Sequence, residues 1–135
     1  MKALSIHPAY AGLIWIGEKT VECRTWSTDY RGDLLICSTA KKLKDTIPGH
    51  ALCVVRLANV VPFTRHHLEM ACMDAMPDAP SYAWILTDLR LIRPIPLKGK
   101  LSLWEYDGPI EYLPTPETDE EDDRMYHEIW EPLFV

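Results

Sequence analysis

The sequence predicts an α+β domain, a small mixed β-barrel with about two flanking helices and a further helix at the C-terminal end. Three features carry that prediction. Five or six short runs alternate apolar and polar residues or concentrate β-branched ones. Helical apolar spacing interrupts them after the first run and again after the fourth. Near the end, Tyr126, Trp130 and Phe134 recur at four-residue spacing and draw one helical stripe. At 135 residues the chain is long enough for one domain with a real core and short for two. The expected organisation is one globular unit over residues 1–110 and an acidic, aromatic extension over residues 111–135 packed on or near it.

Taken in order, residues 3–6 form a short strand, and Pro8 opens a helix whose apolar side holds Ala11, Leu13, Ile14 and Trp15. Gly17 is placed as the left-handed residue that ends it. Residues 20–26 alternate as a strand, with Val21, Cys23 and Thr25 on one face and Thr20, Glu22, Arg24 and Trp26 on the other. After a polar turn, Leu34-Leu35-Ile36-Cys37 has no polar break and reads as a largely buried strand. Lys41, Lys42 and Lys44 follow on a short helical segment that Pro48-Gly49 ends. Residues 51–63 read as a long strand rich in valine, with a bend near Ala58-Asn59 of the kind a barrel requires. Thr64 then caps a methionine-rich helix over residues 65–73.

Residues 81–92 form the next strand, and Pro94 and Pro96 confine its continuation to an edge, because proline has no N–H to give a ladder. Residues 97–104 complete the body around the basic turn Lys98-Gly99-Lys100. In the extension, Thr115-Pro116 or Thr118 with Glu121 starts a helix, and the six acids among residues 117–123 suit the positive end of its dipole. The aromatic stripe is expected to dock on the barrel while the acids face water. A sharper reading has the same carboxylates competing with an anionic ligand for the basic cleft.

Composition excludes several classes. With 47% hydrophobic and 25% charged residues the chain reads as a soluble folded protein. Neither a secretory leader nor an apolar run of spanning length is seen, so a cytoplasmic location and no membrane partner are expected. Cys23, Cys37, Cys53 and Cys72 are 14, 16 and 19 residues apart with no Cys-x-x-Cys pair, which predicts four free thiols and no metal. His66 and Glu69 share a face, but two ligands do not make a zinc site. No Gly-rich phosphate loop, Ser-His-Asp order or paired catalytic aspartates is present, and no cofactor is expected. The net charge of −6 conceals an asymmetry, since residues 1–104 carry +4 and residues 105–135 carry −10. A basic body suits an anionic ligand.

The chemistry concentrates between Ile16 and Trp26. One strand face there presents an acid, a base and an indole, and Lys19 at the mouth of the preceding turn swings towards it. Such a pocket lets Lys19 and Arg24 hold an anion or carbonyl, Glu22 orient or deprotonate, and Trp26 stack. The plainer alternative is an amphipathic strand whose Glu22 and Arg24 are solvated or mutually paired. His7 at the first strand exit, Tyr10 in the first helix, Arg31 and Trp84 are the remaining candidates for ligand contact.

Gly17-x-Lys19-x-x-Glu22-x-Arg24 resembles the signature of the ASCH domain family, the activating-signal-cointegrator homology domains related to PUA RNA-binding domains. Residues 3–6, Tyr30-Arg31-Gly32-Asp33 with the following strand, Tyr82-Ala83-Trp84, and residues 98–104 are similar to other parts of that family's pattern. Many members read Gln-Pro-Trp after the first strand; here Pro8-Ala9-Tyr10 keeps an aromatic ring and lacks the amide. The resemblance implies a PUA-like barrel with its ligand in a surface cleft, where the first helix meets the second strand. It implies RNA or a modified nucleoside or nucleotide as the partner, with Tyr10, Trp26 or Trp84 stacking on a base. It also implies an enzymatic alternative, because some small bacterial members are amidohydrolases acting on N4-acetylcytidine nucleosides through a motif lysine, a nearby threonine and a distant glutamate. Lys19 matches that lysine, but Glu22 stands where the threonine is expected. Thr20, Thr25 or Ser27 would then supply the hydroxyl, or Glu22 would activate water while Lys19 stabilises an oxyanion. A third alternative is a protein-interaction adaptor that uses the C-terminal tail.

Overall fold

In the computed structural model, which describes residues 1–135, the strands are β1 (Lys2–Ile6), β2 (Val21–Arg24), β3 (Gly32–Ser38), β4 (His50–Pro62), β5 (Tyr82–Pro96) and β6 (Leu103–Glu105). They make one sheet in the order β2-β5-β4-β3-β1-β6, curled into a half-barrel. β1 and β3 run parallel with Ser5 opposite Cys37, and every other pair is antiparallel, so the sheet is mixed. A parallel pair needs a long crossover, and helix α1 (Pro8–Trp15) with β2 supplies it.

The side-chain alternation of β3 explains its unbroken apolar sequence. Leu34 and Ile36 pack with Leu4, Ile6, Val55, Leu57 and Trp84 in the main core. Leu35 and Cys37 pack on the opposite face with Ala3, Ala51, Val54 and Ile92. A strand covered on both sides has no face to give to water. A third cluster of Val21, Phe63, Ala71 and Ala83 lies behind β2. α1 starts as its sequence predicts, with Pro8 in the first turn and His7 Nδ1 accepting from the Ala9 N–H at 3.2 Å. It ends at Gly17, whose φ of +84° favours glycine.

Four local features differ from the sequence reading or refine it. β2 stops at Arg24, which removes Trp26 from the strand alternation. The expected helix over 65–73 shrinks to one 3-10 turn, Arg65–His67. The backbone bonds there are mixed, with Ala71 N–H donating to His67 O, Cys72 N–H to Glu69 O and Met73 N–H to Leu68 O, and Cys72 at φ +55° is left-handed, which no helix continues through. Residues 41–43 have no regular structure and a turn follows at 44–45, with Lys41, Lys42 and Lys44 exposed and no apolar face to hold a helix down. The long strand β4 bends at Ala58 as expected, with further register shifts between Ala51 and Cys53 and between Val54 and Arg56. β5 continues through both prolines; β2 covers it only as far as Ile85, leaving an open side where the missing N–H costs nothing.

At the C-terminal end, Thr118 Oγ1 accepts from the Glu121 N–H at 3.1 Å while Glu121 Oε2 accepts from the Glu117 N–H at 2.8 Å. Helix α2 (Asp119–Met125) continues through a π turn, Tyr126–Trp130, and a 3-10 turn, Glu131–Leu133. Trp130 is 2% exposed and its ring lies 4.7 Å from that of Trp15, and the Phe134 ring lies 6.2 Å from Trp15. Val135 exchanges backbone hydrogen bonds with Asp45 and Thr46. Trp130 and Phe134 thus pack on Trp15 of α1, whereas Tyr126 stays 40% exposed and Phe134 lies just past the last helical turn, so the expected stripe is not carried by one helix. No helix is long and apolar enough to cross a membrane.

Candidate functional site

β2 is an edge strand, and its register on β5 sets the site. Glu22 lies opposite Trp84 and Arg24 opposite Tyr82, so both charged side chains share the face on which Trp84 is packed. Lys19 enters from the turn after Gly17. The three groups form one network: Glu22 Oε1 is 3.5 Å from Lys19 Nζ, and Glu22 Oε2 accepts from Arg24 at 3.2 Å. Glu22 Oε1 also accepts from the Cys23 N–H at 3.1 Å. Lys19 donates to Ala71 O at 2.6 Å and its ammonium sits 5.1 Å from the centre of the Tyr10 ring. Arg24 donates to the carbonyl of Ser5 at 3.1 Å.

That last bond closes the molecule. β6 pairs with β1 only at Lys2, Ala3 and Leu4, and the half-barrel has no ladder joining β2 to β1. An arginine side chain from one edge strand spans the seam instead. Gly99 approaches the same residue of β1, where a Cβ would fall 2.1 Å from Ser5 Oγ, so any side chain there requires Ser5 to shift.

Burial gives the network its weight. Lys19 is 3% exposed and Glu22 5%. Taking such charges from water costs several kcal/mol per ion, so they persist only when paired and hydrogen-bonded. Glu22 is satisfied on both oxygens, whereas Arg24 Nε is buried with no partner. The three side chains border a cavity of about 270 Å³ that His7, Tyr10, Ile6, Cys23 and Met73 complete. Burial pushes the Cys23 thiol up from its ordinary value, with the neighbouring Glu22 adding to the rise, which leaves it a poor nucleophile.

Five of the eight sequence candidates therefore meet at this cavity: His7, Tyr10, Lys19, Glu22 and Arg24. Trp26, Arg31 and Trp84 do not line it. Trp84 is fully buried, packed edge-on against Trp26 at 4.7 Å, and donates from Nε1 to the Trp26 carbonyl at 3.2 Å. These two indoles prop each other, and the accessible ring beside the cavity is Tyr10, 44% exposed. Arg31 is spent on the carbonyls of Thr28 and Tyr30. The hydroxyl candidates Thr20, Thr25 and Ser27 are exposed and also lie outside the lining. Sequence reasoning missed Ile6, Cys23, Met73 and the Ala71 carbonyl. Ile6 had a signal, adjacent as it is to His7; the loop that brings Met73 and Ala71 had none.

A curled mixed sheet with a helix start and a cleft at its mouth defines a PUA-like module. The model of the ASCH domain family matches residues 4–114, and the chain belongs to that family. Among solved structures it is similar to ASCH from Zymomonas mobilis, at 20% identity and a TM-score of 0.59, with 94% of each chain covered. A tyrosine-to-phenylalanine mutant of that protein aligns at 19% identity and a TM-score of 0.57, covering 94% of this chain and 96% of that one. A serine-to-alanine mutant of it aligns at 18% identity and a TM-score of 0.59, covering 93% and 94%. At these identities the likeness is one of fold. No curated protein matches the chain.

Proposed function

We propose that this protein binds RNA or a modified nucleoside, taking one base into the cavity between α1 and β2. The observation that carries the reading is the buried Lys19–Glu22–Arg24 network bordering a cavity of about 270 Å³ beside an exposed Tyr10. The volume lies just under the roughly 300–1,000 Å³ of ordinary small-molecule sites, which suits a single base or nucleoside and not a duplex. RNA is read in this manner when an unstacked base is splayed out, stacked on an aromatic ring and hydrogen-bonded at its edge. Tyr10 serves as the stacking ring, Glu22 accepts from an amino group, and Lys19 and Arg24 face a carbonyl or phosphate. His7 is part of the same lining.

A second reading is a small amidohydrolase on N4-acetylcytidine-type nucleosides, favoured by the 3.5 Å approach of Lys19 to Glu22 at the cavity wall. Glu22 would take a proton from water as it attacks the acyl carbonyl, Lys19 would stabilise the oxyanion, and protonated Glu22 would return the proton to the N4 nitrogen as the C–N bond breaks, releasing free acid and cytidine. Incubation with acylated and methylated nucleosides and short single-stranded RNAs, scored for retention and for turnover, separates these readings. Retention without turnover supports the binder, and release of free acid supports the hydrolase. Neither outcome, on folded protein, removes both and leaves the C-terminal tail as the part to test for protein partners.

A further inference from the structure

A second cavity is larger than the one beside Lys19. It measures about 780 Å³ and lies at the seam where the C-terminal segment packs against α1 and β5. Its walls combine Trp15, Tyr112 and Tyr126 with Asp122 and Asp123. Asp122, Asp123, Tyr126 and Trp130 lie beyond residue 114, outside the stretch matched by the family model, so this cavity is built by the extension and is separate from the β2 cleft.

Its electrostatics are one-sided. Arg90 is the cation on the wall, and its charge is already matched: its guanidinium donates to Asp33 at 2.7 and 3.2 Å and lies 3.4 Å from Asp88. The carboxylates of Asp122 and Asp123 make no ion pair or side-chain hydrogen bond. Tyr112 and Tyr126 remain 46% and 40% exposed beside them. Aromatic faces and unmatched carboxylates around an apolar hollow attract one chemical class, a cation carried on an apolar body. The hollow is open to solvent, and Asp122 and Asp123 are exposed where they line it.

We infer that this seam is a second ligand site, selective for an organic cation with an aromatic or aliphatic body. The cation sits between the Asp122 and Asp123 carboxylates and the tyrosine faces, and the apolar body lies on Trp15.

The test uses the intact chain and two probes of nearly equal shape, phenethylamine and 2-phenylethanol, titrated while the indole N–H signals of Trp15 and Trp130 are followed by NMR. Phenethylamine is expected to shift the Trp15 signal saturably and to bind roughly ten-fold more tightly than the alcohol. Asp122→Asn with Asp123→Asn should remove most of that difference. Equal binding of amine and alcohol overturns the inference, as does unchanged amine binding in a folded double variant. So does a titration that leaves Trp15 unmoved or shifts only residues around Tyr10 and Arg24. The amine-to-alcohol comparison on the wild-type chain decides the matter even if the double variant is unstable.

Discussion

Arg24 and Arg90 each hold carboxylates on the same curved sheet, yet their surroundings differ in kind. Arg90 grips Asp33 through two hydrogen bonds on side chains that are 29% and 44% exposed. Arg24 reaches a Glu22 side chain that is 7% exposed, which in turn faces a Lys19 side chain at 2%. The first pair has good geometry and water at hand, so its net contribution is small. The second has longer contacts and a large desolvation cost, which makes it a poor device for stability and a costly one to leave half-made. Such a network next to a cavity, with Arg24 Nε unpartnered, is what the proposed ligand reading rests on.

The contrast breaks most visibly at Glu22. Glu22→Ala leaves Lys19 buried without its partner and should cost about 3–5 kcal/mol in denaturant unfolding. A loss below about 1 kcal/mol would put Glu22 in the same category as Asp33. The complementary change replaces all three charges with apolar residues, Lys19→Met, Glu22→Leu and Arg24→Met. Because buried ion pairs are often no better than well-packed hydrophobes, this variant should stay within about 2 kcal/mol of the wild type or exceed it, while losing all nucleoside and RNA retention. Retained binding would separate the network from the ligand.

The smallest effect is expected at Asp33. Its carboxyl is held below the usual carboxylate range by the Arg90 hydrogen bonds, against a partial offset from burial. A depressed folded-state value means that the contribution is present above the ordinary carboxylate pKa and disappears as pH falls through the lowered one. Asp33→Asn should therefore cost about 0.5–1 kcal/mol near neutrality, and the difference from wild type should vanish on acidification. A difference that grows in acid would contradict the assignment.

The two regions were also unequally readable. Period-two alternation in β2 put Glu22 and Arg24 on one face, and the turn after Gly17 delivered Lys19, because these are relations within a few residues. The same alternation carried too far misassigned Trp26, since nothing local shows that β2 stops at Arg24. The contacts that make the site a cavity span greater separations: Arg24 meets Ser5 across 19 residues and Lys19 meets Ala71 across 52. The Arg90–Asp33 pair, 57 residues apart, was not visible at all. Long-range pairing depends on which strands become neighbours, and the order β2-β5-β4-β3-β1-β6 is fixed by the packed core and not by any single segment. The tail was the easier case, because four-residue spacing and the Thr118 cap are both local signals.

One titration tests the ligand cavity most directly and needs no mutation. Amide and arginine Nε–H signals of the wild-type protein are recorded while acetylated and unmodified cytidine and a short single-stranded RNA are added. If the β2 cleft is the site, the shifts concentrate on Tyr10, Cys23 and Met73, and the Arg24 Nε–H, unpartnered in the free protein, moves with the same midpoint. Shifts confined to Arg31 and the lysines at 41–44, with Arg24 Nε–H unchanged through saturation, would contradict that assignment and make RNA contact a property of the exposed basic surface.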